Sequence, residues 1–79
     1  MKKTIAKDLI LKAINLSAEW NNNGYVVLNE DGTLDATVWN NWKWETPRRE
    51  IIAYVNGIDG FILKNSDYIF EIDPDTLLK

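Results

Sequence analysis

The chain has 79 residues, 46% of them hydrophobic, and a net charge of −3. This length predicts one small globular domain over residues 1–79, and the apolar content is too high for a disordered chain. The sequence contains no Cys and no His. It therefore offers no disulfide, no thiolate ligand, no thiol nucleophile and no imidazole base, so we expect no catalytic residue, no cofactor and no metal.

An amphipathic helix is the first element that the sequence predicts, over residues 4–21. Apolar side chains recur at helical spacing along one side, with Trp20 among them. Thr4 is placed to serve as the N-cap. The Asn-Asn-Asn-Gly run at 21–24 then ends the helix, because Asn and Gly accept a left-handed backbone readily.

The same segment bears on where the protein acts. It starts with lysines, as a secretory signal does, but Lys7, Asp8 and Lys12 interrupt the apolar run that a signal needs. No stretch of the sequence is long and apolar enough for a transmembrane helix. We therefore expect a cytoplasmic protein that has no membrane partner.

A β-hairpin with clear turn chemistry is predicted next. The segment 29–33 suits a type I turn with Gly32 in a left-handed bulge position. That register pairs Leu28 with Leu34 and gathers the apolar residues on one face. The opposite face of the predicted hairpin carries Tyr25, Val27, Asp35, Thr37 and Trp39.

A second helix is predicted to begin at Thr46 and to run to residue 55 or 56. Thr is a good N-cap, the Pro that follows it is favoured at the first helical position, and Gly57 ends the pattern. Arg48 and Arg49 then lie in the first turn, where the helix dipole disfavours cations. A carboxylate or phosphate, from this chain or from a partner, would offset that repulsion.

A second hairpin is predicted from strands at 61–64 and 68–72, and Asp73 is placed to cap a final helical turn over 75–79. The element order is then α-β-β-α-β-β-(short α). The economical architecture is a two-layer α+β fold, in which helices pack mainly on one face of a four-stranded antiparallel sheet.

A cluster of aromatic and basic residues is the leading candidate for a binding site. Trp39, Trp42 and Trp44 lie within six residues, and a small domain has little room to bury so many indoles. Arg48 and Arg49 follow shortly after. Because Trp and Arg are enriched at interface hot spots, we expect these five residues to bind a protein partner. The alternative is that at least two of the tryptophans belong to the core.

Acidic residues form a second candidate surface. Their sequence positions suit turns and helix caps, which is the simpler interpretation of them. Together they also give the chain a negative surface that would compete for a basic groove that normally holds nucleic acid. The residues are Glu30, Asp31, Asp35, Asp67, Glu71, Asp73 and Asp75.

The sequence is thus interpreted as a non-enzymatic protein-binding module. In size and composition it is similar to small proteins encoded by bacteriophages and mobile elements, many of which block a host enzyme, as anti-CRISPR and anti-restriction proteins do. This similarity implies an inhibitor whose partner is a host nucleic-acid-binding protein. Two alternatives stay open: a single-stranded nucleic-acid-binding protein, favoured by tryptophans beside cations but opposed by the net charge, and a small homodimeric structural protein. Both a monomer and a homodimer agree with the sequence.

Overall fold

The protein is an α+β fold in which one α-helix packs against a four-stranded antiparallel sheet. The structure, a computed structural model, describes residues 2–38, 49–57 and 59–78. Its elements are β1 (Lys3–Ile5), α1 (Lys7–Trp20), β2 (Gly24–Leu28), β3 (Leu34–Val38), β4 (Glu50–Asn56), β5 (Gly60–Leu63), β6 (Tyr68–Phe70) and a 3-10 helix (Pro74–Leu77).

The sheet has the strand order β3-β2-β4-β5, and β1 and β6 form a separate parallel pair. Helix α1 packs on β2 and β3. The predicted fold class, an α+β fold with a four-stranded antiparallel sheet and a helix against it, is therefore confirmed. The order of the elements differs from the prediction at three places.

The first hairpin has the predicted register. Leu28 pairs with Leu34, and the N–H of Asn29 donates to the carbonyl oxygen of Thr33 at 2.8 Å. Gly32 has φ of 90°, the left-handed geometry that a bulged type I turn needs. Local turn chemistry was sufficient to predict this element to the residue.

Helix α1 starts later than predicted. Thr4 is not its N-cap, because residues 3–5 pair with β6 as strand β1, and Ala6 occupies the cap position without a side-chain hydrogen bond. The predicted end is close: Asn21 has φ of 50° and caps the helix in the left-handed conformation. Trp20 is 55% exposed, contrary to its predicted place on the apolar side. It lies beyond the part of α1 that packs on the core, which ends at Leu16.

The predicted second helix is wrong, because residues 50–56 form strand β4. This segment contains Ile51, Ile52, Tyr54 and Val55, and β-branched and aromatic side chains favour strands. It pairs with β2 on one side and with β5 on the other, so sheet hydrogen bonding decides the conformation. The residues that predicted a helix start, 46–48, lie outside the described residues.

The predicted second hairpin is also wrong. Residues 60–63 form β5 and pair with β4, whereas residues 68–70 form β6 and pair in parallel with β1 at the start of the chain. Once 50–56 is a strand, its free edge accepts the segment that follows it. The predicted final turn is confirmed as a 3-10 helix, in which the carboxylate of Asp73 accepts the N–H of Asp75 at 3.1 Å and Leu77 packs on the core.

The core lies between α1, the inner face of the sheet and the β1–β6 pair. Ile5, Ile10 and Val26 are fully buried there. The pairing of β2 with β4 shifts register so that Ile52 is an extra residue on β4, and its side chain is also fully buried. The opposite face of the sheet contributes no member to this cluster among the described residues.

Candidate functional site

Most of the predicted aromatic and basic cluster lies outside the described residues. Trp39, Trp42, Trp44 and Arg48 fall within 39–48. Their role in binding a partner stays a prediction. Arg49 is described: it is half-buried and directly precedes β4.

Arg49 lies near Asp35 of strand β3. The pKa of the Asp35 carboxyl is lowered chiefly by its hydrogen bond with Lys12, and the positive charge of Arg49 contributes to the same effect. The Lys12 Nζ to Asp35 Oδ1 distance is 2.8 Å. Arg49, a described residue, thus acts electrostatically on the carboxylate of Asp35.

Several of the predicted acidic residues hold local structure together. Glu30 and Asp31 lie in the turn between β2 and β3. The Asp31 carboxylate accepts hydrogen bonds from the hydroxyl and the N–H of Thr33, at 2.6 and 3.0 Å, and these bonds lower the pKa of Asp31. A charge in this position stabilises the turn whether or not it meets a partner.

The remaining acidic residues lie in the last part of the chain. Glu71 accepts the backbone N–H of Lys7 at the start of α1, and Asp73 caps the 3-10 helix. Asp67 and Asp75 are exposed beside them in the sequence. The acidic residues thus belong to the β2–β3 turn, to β3 and to the C-terminal segment, and their part in competing for a basic groove stays a prediction.

The outer face of the sheet presents a pair of tyrosines. Tyr25 of β2 and Tyr54 of β4 are register partners on the two central strands. Their ring centroids are 5.7 Å apart and their planes are tilted by 34°. Both residues are half-buried on strands that pair on both sides. We call the surface made by Tyr25, Val27, Ile51, Tyr54 and Ile62 the tyrosine face.

The tyrosine face is apolar and separate from the core. Val27 is fully buried, and its register partner Ile51 and the register partner of Tyr54, Ile62, are half-buried. None of the five residues joins the core cluster or its packed neighbours among the described residues. This face therefore holds apolar surface that the described helix does not use.

A shallow hollow of about 280 Å³ lies on this side of the sheet. The Nζ of Lys64 lies over the Tyr54 ring, 5.8 Å from the ring centroid. Such a volume suits one side chain of a partner rather than a whole cofactor. The hollow is lined by Asn23, Tyr25, Ile51, Tyr54, Asn56 and Lys64.

A second hollow, of about 460 Å³, lies where the β1–β6 pair meets the end of the sheet. Its charges are of both signs, and two of its polar side chains already contact each other: Asn65 Nδ2 donates to Glu50 Oε2 at 3.4 Å. Its lining is Lys3, Leu28, Glu50, Asn65, Asp67 and Tyr68. The mixed charges favour no single class of ligand.

Metal-ligand clusters and membrane-spanning helices are both absent from the described part of the chain. It contains no group of three or more Asp, Glu, His or Cys residues arranged to hold a metal ion. It also contains no helix with the length and apolar character needed to cross a bilayer.

Sequence reasoning found half of the tyrosine face. The hairpin register placed Tyr25 and Val27 on its outer side, but Tyr54 was assigned to a helix and so was not paired with Tyr25. The signal that could have found it is the β-branched character of Ile51, Ile52 and Val55, which favours a strand.

Comparisons with protein-family models, with curated proteins and with solved structures found no match to this chain.

Proposed function

We propose that this protein is a non-enzymatic protein-binding module that holds its partner on the tyrosine face. The observation that carries the proposal is the pairing of Tyr25 with Tyr54 on the two central strands of the sheet. Tyrosine supplies a large contact area at a small loss of side-chain entropy, and it is enriched at protein interfaces.

The geometry of the face favours tight docking over adaptable contact. Residues on central strands are held by hydrogen bonds on both sides, so Tyr25 and Tyr54 are in place before a partner arrives. Preorganised side chains lose little freedom on binding, which leaves more of the contact energy as affinity. Ile62 on the neighbouring strand extends the apolar area.

The tryptophan segment enlarges this surface in the proposal. Trp39, Trp42 and Trp44 act as apolar anchors, and Arg48 and Arg49 make charge-assisted contacts with the partner. Support comes from Arg49, whose charge acts on Asp35. Asp35 pairs with Val27 of the tyrosine face, so the charge of Arg49 acts next to that face.

The partner in this proposal is a host protein that binds nucleic acid, and the module acts as its inhibitor. The net charge of −3 and the acidic residues of the β2–β3 turn and the C-terminal segment support it. A negative surface is attracted to the basic groove of such a partner.

Binding of single-stranded nucleic acid is the second candidate, because one observation favours it. Sheet-based RNA-binding domains stack bases on aromatic side chains of their central strands, as Tyr25 and Tyr54 are placed here. The net negative charge opposes this function, since nucleic-acid affinity depends on a row of cations along the phosphates.

A capture experiment from bacterial lysate tests the proposal. We expect Tyr25→Thr/Tyr54→Thr to lose the partner, because Thr keeps the strand conformation and removes both rings. Ile69→Thr is the matched control: it removes an apolar side chain that is 43% exposed on β6, away from the tyrosine face. Equal recovery by the wild type and the folded double variant would contradict the proposal.

The other parts of the proposal have their own tests. The double variant Trp42→Ala/Trp44→Ala should weaken capture of the partner if the tryptophans are anchors.

A labelled single strand tests the nucleic-acid alternative. Binding of the strand at low salt that is lost in the variant Arg48→Glu/Arg49→Glu would favour nucleic acid as the ligand. Sedimentation distinguishes a monomer from a homodimer.

A further inference from the structure

We propose that the hollow on the tyrosine face selects a carboxylate-bearing side chain of the partner, with an apolar or aromatic neighbour of that side chain lying against the tyrosine pair. This inference rests on the proposed function, and it names the chemistry of the partner at the centre of the contact. It requires an aromatic platform, an available cation and no competing carboxylate in the lining. The hollow provides all three.

The platform is the pair of Tyr25 and Tyr54. With centroids 5.7 Å apart and a tilt of 34°, the two rings form a continuous apolar surface across two strands. Ile51 lines the same hollow. A planar or branched apolar side chain placed on this surface gains contact with all three residues without disturbing the core.

The cation is Lys64. Its side chain is exposed, and its Nζ lies 5.8 Å from the centroid of the Tyr54 ring. The only ion pair found between described residues joins Lys12 to Asp35, so no described carboxylate neutralises Lys64. Its ammonium therefore lies over the Tyr54 ring in the lining of the hollow, with its charge available to a partner.

The rest of the lining suits an anion. Apart from the tyrosine hydroxyls, the other polar side chains there are the amides of Asn23 and Asn56, which carry no negative charge. Asp35, the register partner of Val27 on the same face, is already bonded to Lys12. The hollow is thus a locally positive site on a chain whose net charge is −3.

That contrast favours a single carboxylate over a nucleic-acid strand. One cation at the hollow matches one negative charge, whereas a strand brings a phosphate with every nucleotide. Around a lone lysine, the acidic chain would repel those further phosphates. A glutamate or aspartate beside an apolar residue meets the positive site without that repulsion.

A titration with two capped dipeptides tests the inference. Acetyl-Glu-Tyr-amide and acetyl-Gln-Tyr-amide differ only in the negative charge. Binding is followed by backbone amide chemical shifts of the labelled protein. We expect saturable shifts at Tyr25, Tyr54 and Lys64, with the Glu peptide binding about fivefold more tightly than the Gln peptide, as a partly exposed ion pair gives.

Two variants isolate the lysine. Lys64→Gln should bind both peptides equally, whereas Lys2→Gln makes the same change of charge at an exposed N-terminal position and should keep the preference. Equal affinities for the two peptides in the wild type would overturn the carboxylate selection and leave the tyrosine face as a protein-binding surface. Absence of shifts with both peptides would overturn the inference, as would an oligothymidine that shifts the same amides and displaces the Glu peptide.

Discussion

The carboxylate of Glu71 accepts a hydrogen bond from the backbone N–H of Lys7, which is the first residue of α1. The two residues are 64 positions apart. Since Ala6 at the cap position has no side-chain acceptor, Glu71 provides the cap from the C-terminal part of the chain. The N–H of Glu71 also donates to the carbonyl of Ile5, so one residue connects β1, α1 and the end of β6.

Removing this cap should destabilise the protein. We expect Glu71→Ala to lower the free energy of unfolding by about 1 kcal/mol, because an orphan N–H and the helix dipole both lose an acceptor. Glu71→Gln keeps an acceptor oxygen and should lose about half as much. Urea denaturation measures both.

Glu19→Gln is the matched control, since it makes the same change in the last turn of the same helix. A carboxylate there opposes the dipole, so its removal should leave stability unchanged or slightly raised. A loss at Glu19 equal to that at Glu71 would mean that the charge of α1 matters and the cap does not.

Asp35 should make stability depend on pH. Its pKa lies below the ordinary value in the folded protein, chiefly because of the Lys12 hydrogen bond. The lowered folded-state pKa gives stability that is present above the unfolded pKa and is lost as pH falls through the folded pKa. We expect Asp35→Asn to flatten the loss of stability below about pH 4, by roughly 0.5 kcal/mol after solvent screening.

The dependence of stability on pH can also be measured for a control variant. Asp59→Asn removes an exposed carboxylate between β4 and β5 and should keep the wild-type dependence on acid. Asp31, whose pKa is also lowered, keeps part of the dependence in every variant. Identical acid profiles for Asp35→Asn and the wild type would contradict the assigned role of the Lys12 bond.

Asp35 also protects an edge of the sheet. Hydrogen-bonded pairs alternate along β2 and β3 from the Asn29–Thr33 pair, so the N–H of Ala36 points away from β2 at an outer strand. The Asp35 carboxylate accepts this N–H at 2.8 Å. An edge N–H that is occupied in this way cannot pair with another chain.

We therefore expect Asp35→Val to promote association through β3, visible as larger species in sedimentation at raised protein concentration. Asp35→Asn keeps an acceptor for the Ala36 N–H and should sediment as the wild type does. Equal sedimentation of the Val variant and the wild type would show that the edge is protected by other means.

Gly24 sets the distance between α1 and the sheet. A Cβ on this residue would lie 2.0 Å from the carbonyl oxygen of Ala13, which is backbone and cannot rotate away. We expect Gly24→Ala to lower the free energy of unfolding by about 2–3 kcal/mol. Gly57→Ala has open space around its Cβ and should change stability by less than about 0.5 kcal/mol, which thermal melts of the two variants will compare.

The sequence predictions were correct where the deciding interactions join residues close in sequence, and wrong where they join distant residues. The 29–33 turn and the Asp73 cap were predicted because each depends on residues within a few positions. The pairing of β1 with β6 joins segments from opposite ends of the chain, and no local sequence pattern indicates it. Residues 50–56 were misassigned because a short apolar run fits the residue spacing of a helix and of a strand equally well. Pairing with β2 decides in favour of the strand.

The same limit applied to the candidate site. The tryptophans were found by their density in the sequence, whereas the tyrosine pair depends on two strands that meet only in the folded chain. The ring centroids of Tyr25 and Tyr54 are 5.7 Å apart, although 28 residues lie between these two positions in the sequence. Lys64 then reaches the same hollow from a third segment.

Photo-cross-linking from the tyrosine face will decide whether that surface binds a protein. A benzophenone amino acid replaces Ile62 on the face, and in a parallel sample it replaces Ile69 on β6 as the control. After irradiation in bacterial lysate, we expect Ile62 to give a discrete adduct that protease removes and nuclease leaves intact, with none from Ile69. A nuclease-sensitive adduct, or equal labelling from both positions, would contradict the assignment of the tyrosine face as a protein-binding surface.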